Sequence, residues 1–199
     1  MARTIKSNEL AIQSYIFTTA KYDFNAYEKR IMYRLVELAQ DELKGIMIRD
    51  NMHKIEPTLF GREITMPVAD ILRNEKDQNY TIAKKAFRSL AQKGVEYEDD
   101  KFWQYTAIIS NPKIDKIKGF VVFTVLDDIW RCLLDFTKGY RKYELVTAMQ
   151  FKSVYSMRMY ELMSEQKRPL EFTFEDLKQR FKLKEKYSKA NDFKRWVLD

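Results

Sequence analysis

Thr81-Ile82-Ala83-Lys84-Lys85-Ala86-Phe87-Arg88-Ser89-Leu90-Ala91-Gln92-Lys93-Gly94 is the stretch on which the fold turns. Ile82, Ala86 and Leu90 recur at helical spacing on one face, and Gly94 is placed to stop the helix. Immediately upstream, Arg62-Glu63-Ile64-Thr65-Met66 has an extended pattern, and Pro67 suits the first turn of a short helix from Val68 to about Asn74. The polar residues 74–79 break the pattern between the two helices, so the sequence predicts a helix-turn-helix. Downstream the period changes. Val95-Glu96-Tyr97-Glu98, Trp103 to Ile109 and Gly119 to Val125 are rich in aromatic and β-branched residues and predict strands. The intervening residues 110–118 read as a hairpin tip bearing Lys113, Lys116 and Lys118. A helix-turn-helix followed by a basic-tipped hairpin is the outline of a winged helix.

Working outward, residues 24–43 carry Tyr27, Ile31, Leu35, Leu38 and Ala39 at helical spacing and predict an amphipathic helix, with Asn25 and Glu28 in the form of a capping box. Residues 44–61 read as an irregular connection. Past a helix near Asp127–Phe136 the outline starts again. Tyr143 to Val146 is a strand candidate, and Ser153 to about Glu165 predicts a helix with Tyr155, Met159, Leu162 and Met163 on one apolar side. Leu170 to Phe172 is extended, Thr173 with Asp176 caps a helix over Phe174–Phe181, and a last helix begins near Ser188. The expected fold is α+β, with two winged-helix units in tandem over residues 1–142 and 143–199. The second lacks its wing, so the sequence reads as truncated inside its last helix.

The chain holds 36 Lys and Arg against 29 Asp and Glu, a net charge of +7 that favours a polyanionic partner. The excess is concentrated in residues 139–199, which carry 14 basic and 9 acidic side chains. A single cysteine, Cys132, excludes an internal disulfide, fits a reducing cytoplasm, and reads as a buried core thiol. No apolar run approaches the ~20 residues of a membrane span, so no membrane partner is expected. The one histidine, His53, stands in the irregular connection and reads as a surface residue. Metal or triad catalysis needs clustered His, Cys and carboxylates, and a P-loop needs a Gly-Lys step that none of the five glycines provides. The acidic residues read as solvated surface. Neither an enzyme, a metal nor a cofactor is expected.

Binding is what remains. Lys84, Lys85 and Arg88 project from the flank of the first helix-turn-helix opposite its apolar face. In the second unit, Lys178, Arg180, Lys182, Lys184, Lys186, Lys189, Lys194 and Arg195 stand against only Glu185 and Asp192. Lys184, Lys186, Lys189, Lys194 and Arg195 are the DNA-binding candidates there. Arg195 is the leading specificity candidate, because arginine can bind guanine bidentately whereas lysine on phosphate carries no sequence information. Trp196 and Val197 read as anchors of the same helix.

Three segments resemble the Rep initiators of iteron-bearing plasmids, the RepA/RepE type with two winged-helix domains. They are Lys6-Ser7-Asn8-Glu9-Leu10; Phe151-Lys152-Ser153-Val154-Tyr155-Ser156-Met157-Arg158-Met159-Tyr160-Glu161-Leu162; and Tyr187 followed by Asp192-Phe193-Lys194-Arg195-Trp196-Val197-Leu198. The resemblance implies sequence-specific binding of repeated double-stranded origin DNA, with the C-terminal unit in the major groove. It also implies that the N-terminal unit contacts neighbouring DNA and mediates dimerisation. A monomer that starts replication, a dimer that represses its own gene, and recruitment of host helicase and primase complete the expectation. A dimeric winged-helix repressor, a DNA-nicking replication enzyme and a purely protein-binding winged helix are the alternatives.

Overall fold

A computed structural model of the chain describes residues 10–14, 23–45, 53–72, 79–98, 101, 103–135, 140–167, 169, 171–183 and 186–198. Helix α1, Ala26–Leu43, begins where its capping box predicts. Asn25 Oδ1 accepts from the backbone N–H groups of Tyr27 and Glu28 at 2.9 and 3.0 Å, and the Glu28 carboxylate accepts from the Asn25 N–H at 2.7 Å. Every residue from Glu28 to Asp41 is buried, so α1 has no wet face; it is the axis of the molecule.

Its polar side chains are therefore spokes rather than a solvated flank. Arg30 donates to the carbonyls of Met149 and Phe151 at 3.2 and 2.9 Å. Arg34 reaches the Asp70 carbonyl at 3.1 Å and the Glu37 carboxylate at 2.8 Å, and Gln40 donates to the Ile12 carbonyl. Glu28 also holds the Lys93 ammonium at 2.8 Å. Each spoke satisfies a group that would otherwise be costly to bury.

A four-stranded antiparallel sheet covers one side of α1. It comprises β2 (Lys54–Pro57), β3 (Gly61–Pro67), β6 (Ser110–Asp115) and β7 (Phe120–Leu126) in the order β2-β3-β7-β6. Ile64 opposes Phe123 and Met66 opposes Val121. Along β7, Val121, Phe123 and Val125 are buried while the residues between them are half-buried, as period-two alternation requires. The strand β2 corrects the expectation of an irregular connection over 44–61; it is a short, mostly exposed edge strand ending at Pro57, too brief to show a period. His53, just before β2, is buried and pairs with Asp70 at 2.8 Å, so it is not the surface residue expected.

A 3-10 turn, Val68–Ile71, stands where a helix to about Asn74 is predicted; residues 73–78, which include the end of that helix and most of the polar turn, lie outside the described residues. Helix α2, Tyr80–Ala91, carries the second half of the helix-turn-helix. Gly94 does not stop it. The helix ends at Gln92, and Gly94 opens strand β4 (Gly94–Glu98), which pairs with β5 (Trp103–Ala107). A Cβ on Gly94 would sit 2.7 Å from the Thr106 backbone oxygen, as well as against the Tyr105 ring, so this close crossing requires glycine.

The chain thus builds two hairpins where the sequence suggests one. Residues 110–115 are not a tip but the strand β6, and the true tip is 116–119. Polar composition hides that strand, and Asn111, at φ 51°, breaks its register with β7 between Ser110 and Lys113.

Helix α3, Asp127–Leu134, packs on α1 through Ile129, Trp130 and Leu133. Cys132 lies on its outer side and is exposed, which corrects the expectation of a core thiol. Partial burial, then the Asp135 and Asp128 carboxylates, push its pKa above the ordinary thiol value. Strand β8, Tyr140–Glu144, pairs antiparallel with β1, Leu10–Ser14, and leads into α4, Leu145–Gln150, and α5, Val154–Met163. In the second unit, α6 (Phe174–Arg180) has the Thr173/Asp176 capping box, and α7 (Ala190–Phe193) continues through Lys194–Leu198 with wider, π-type turns.

Helix α5 faces two ways. Met157 packs with Ala11, Tyr33, Tyr143, Leu145 and Ala148, whereas Leu162 packs with Leu177, Phe181, Leu183, Phe193 and Val197 of the second unit. The single apolar side predicted for it is therefore corrected; Met163 is exposed, while Arg158 and Glu161 are buried.

Glu161 is the centre of this junction. Its carboxylate lies 2.8 Å from the Lys29 ammonium, accepts from the Tyr33 hydroxyl at 2.5 Å, and accepts from the Gln13 amide at 2.9 Å. Tyr143 in turn donates to Gln13 at 2.8 Å. On α5's second face, Arg158 donates to the Arg180 carbonyl at 2.8 Å and its guanidinium lies 4.9 Å from the Phe181 ring centroid. Removing one partner of a buried ion pair strands the other charge and typically costs about 3–5 kcal/mol. We expect Lys29→Met and Glu161→Gln each to lower the unfolding free energy extrapolated from a urea titration by that order. The double variant, which leaves no uncompensated charge, should recover much of the loss in the same titration.

Candidate nucleic-acid interface

Helix α2 buries Ala83, Ala86, Phe87 and Leu90 against the core and leaves Lys84, Lys85 and Arg88 exposed. Asn79 holds its first turn, accepting from the Ile82 N–H at 3.2 Å. The wing strand β6 runs beside this helix. Between them lies an open groove of about 500 Å³, floored by Tyr80, Phe87 and Ile114 and flanked by Lys84, Arg88 and Lys116. Helix and wing thus bring three of the sequence candidates to one groove. Lys85, Lys113 and Lys118 do not line it, although all three are exposed.

The wing tip is tightly ordered. Asp115 Oδ1 accepts from the backbone N–H groups of both Ile117 and Lys118 at 2.9 Å. The Gly119 N–H donates to the Asp115 carbonyl at 2.9 Å, and Gly119 adopts φ 73°, a conformation that glycine takes without a Cβ penalty. The Gly119 carbonyl accepts from the Val68 N–H at 3.0 Å, which ties the wing to the first half of the helix-turn-helix. The backbone bond from Lys118 holds the Asp115 carboxyl below its ordinary range; desolvation, next in size, opposes it, and the bond from Ile117 and the charges of Lys118 and Lys113 add to the lowering.

In the second unit, Phe193 and Val197 are buried against Leu162, Leu177 and Phe181, and this fixes the face that α7 turns outward. Lys186, Lys189, Lys194 and Arg195 are exposed, and Lys189 occupies the N-cap position of α7. Lys184 lies outside the described residues, as does the side chain of Trp196. Lys178 and Arg180, basic in the sequence tally, are instead turned against rings: Lys178 is buried over Phe174 and Arg180 lies 5.3 Å from the Phe172 centroid. Two basic clusters result, one on each unit.

Among the described residues no group of three or more His, Cys, Asp or Glu could hold a metal ion, and no helix is long and apolar enough to cross a membrane. Four buried acids each face a base. Glu28, Glu37, Asp70 and Glu161 contact Lys93, Arg34, His53 and Lys29 respectively. Their burial corrects the reading of the acidic residues as solvated surface, and periodicity could not signal it, because each is paid for by a partner distant in sequence or by a neighbour on the same helix.

A family model described as initiator replication protein, WH1, matches residues 10–164, and one described as initiator Rep protein, WH2, matches residues 173–199. The chain belongs to the Rep initiator family. Its tandem winged-helix architecture is that of the family, and the first family match runs through α5, beyond residue 142. No curated protein sequence matches the chain. Among solved structures, this Rep initiator is similar to the Pi initiator protein in a crystal structure with iteron DNA. The TM-score is 0.65 at 15% identity, covering 98% of this chain and 84% of that one. At that identity the likeness is one of fold.

The depressed Asp115 pKa fixes the sign of a pH effect. A carboxylate stabilised in the folded turn contributes order above its unfolded pKa and loses it as pH falls through the lower, folded value. The protection of the Ile117 and Lys118 amides, taken relative to their intrinsic exchange at each pH, should therefore be full at neutral pH and fall as the pH drops from the ordinary aspartate range through the lower, folded value. Asp115→Ala should lack that protection at every pH.

Proposed function

We propose that this Rep initiator is a plasmid replication initiator that binds repeated origin DNA, the iterons, sequence-specifically and starts replication without covalent chemistry. The observation that carries the reading is the pair of exposed basic clusters, each presented by a helix whose apolar face is buried. One comprises Lys84, Lys85 and Arg88 beside Lys113, Lys116 and Lys118 of the wing; the other comprises Lys186, Lys189, Lys194 and Arg195. Lys184 joins the second cluster by its place in the sequence. Phosphate contacts from the lysines supply affinity and register, and Arg88 and Arg195 supply base discrimination.

The division of labour follows the two units, expected from the sequence at 1–142 and 143–199, with β8, α4 and the inner face of α5 packed on the first. The C-terminal unit enters the major groove of the repeat, and the N-terminal unit contacts neighbouring DNA and dimerises. Self-pairing is favoured at the β4–β5 hairpin, a two-stranded sheet on which Trp103 and Tyr105 are stacked and exposed. A monomer that initiates and a dimer that represses its own gene are then two states of one chain in the cytoplasm. The host helicase and primase machinery is the partner at the opened origin.

Fluorescence anisotropy on duplexes carrying the direct repeats beside its own gene, against scrambled duplexes at ~150 mM salt, tests this reading. Specific readers exceed their non-specific affinity by about 10³-fold or more. We expect a preference of that order, reduced by Arg195→Ala and Lys194→Ala. Equal, salt-sensitive binding to both duplexes would overturn it.

A further inference from the structure

Ile117 is the most exposed large apolar side chain among the described residues, at 98%, and it stands at the outermost turn of the wing. Lone apolar residues on a surface are ordinary. Three features set this one apart. Its backbone is held by the Asp115 carboxylate through its own N–H and that of Lys118, so the side chain is carried on a formed turn. Lys116 and Lys118 flank it, both exposed, and Lys116 also borders the groove shared with Lys84 and Arg88 of α2. The turn is anchored through Gly119 to Val68, so its position relative to the helix-turn-helix is fixed.

This arrangement places an apolar wedge between two cations, one of which belongs to the same surface as the reading helix. A duplex that meets α2 with its major groove offers the wing an adjacent minor groove edged by phosphates. Apolar side chains inserted there between base steps unstack them and kink the duplex by roughly 20–90°. Pyrimidine–purine steps yield most readily. A polar or glycine tip would serve phosphate contact as well as isoleucine does; insertion is the role that requires the apolar volume.

We propose that Ile117 is a wedge that the wing inserts into the minor groove at a pyrimidine–purine step of bound duplex DNA, with Lys116 and Lys118 on the flanking phosphates. The proposal rests on the reading of the chain as a DNA binder and adds to it a residue that deforms the duplex. It supplies a local means of weakening stacking beside the bound site.

The test uses the full chain on the repeat duplex and on a scrambled duplex, each containing TA and CA steps, with 2-aminopurine placed singly at successive adenines. We expect the protein to raise fluorescence several-fold at one step. Ile117→Ala should abolish that rise while weakening binding by about tenfold or less, since insertion gains contact at the expense of stacking. Lys116→Ala with Lys118→Ala should weaken binding and flatten its salt dependence, and the rise should persist at protein saturation. Unchanged fluorescence on binding, or a rise that Ile117→Ala retains, would overturn the wedge while leaving the initiator reading intact. Binding without sequence preference but with an Ile117-dependent rise would overturn the specific-initiator reading and uphold the wedge. Absence of binding to either duplex would overturn both.

Discussion

The carboxylate of Glu161 is where the molecule is joined. Removing an ion from water costs several kcal/mol even after the protein relaxes, and the cost is offset only where enough partners converge. For Glu161 three converge from two elements: Lys29 and Tyr33 on α1, and Gln13 on β1, itself held by Tyr143 on β8. A buried pair of this kind contributes little net stability compared with apolar packing of the same shape. It does exclude every docking of α5 that leaves the charge unpaired, and so it fixes position.

That position sets the second unit. Leu162, one residue beyond Glu161, enters the cluster built from Leu177, Phe181, Phe193 and Val197, and Arg158, one turn before, ties the end of α6 through the Arg180 carbonyl. The helix carrying Lys194 and Arg195 is thereby connected to α1 through a single two-faced helix. The first basic surface is connected to α1 more directly, since Lys93 at the end of α2 pairs with Glu28 in the capping box of α1. Both surfaces are thus referred to one buried helix. Along that helix and α5, basic side chains such as Lys29, Arg30, Arg34 and Arg158 are buried, while Lys84, Lys85 and Arg88 of α2, Lys113, Lys116 and Lys118 of the wing and Lys186, Lys189, Lys194 and Arg195 around α7 are exposed.

What the sequence made legible followed local rules. Asn25 with Glu28 and Thr173 with Asp176 are capping boxes because their geometry depends on residues three apart, and both are present. The alternation of α2 was readable for the same reason, and with it the exposure of Lys84, Lys85 and Arg88. Most of the misreadings involve contacts distant in sequence. Gly94 resembles a helix stop until the Tyr105 ring across the hairpin is known, and β6 resembles a loop until β7 pairs with it. Glu161 and His53 look solvent-facing because their partners are 128 to 148 residues away for Glu161 and 17 for His53. Cys132, among apolar neighbours, looks buried, although α3 turns it outward. The resemblance of residues 151–162 to the family helix marks Arg158 and Glu161 as parts of a motif, which periodicity does not.

The central claim is that two separately placed basic surfaces, held by one buried framework, read a single stretch of duplex together. Hydroxyl-radical footprinting of the full chain on a duplex with one repeat tests it most directly, comparing the natural chain with a Lys84→Ala/Arg88→Ala variant. The account predicts two separated protected patches, of which the variant loses one and keeps the other. A single patch, or two that fade together, would contradict it.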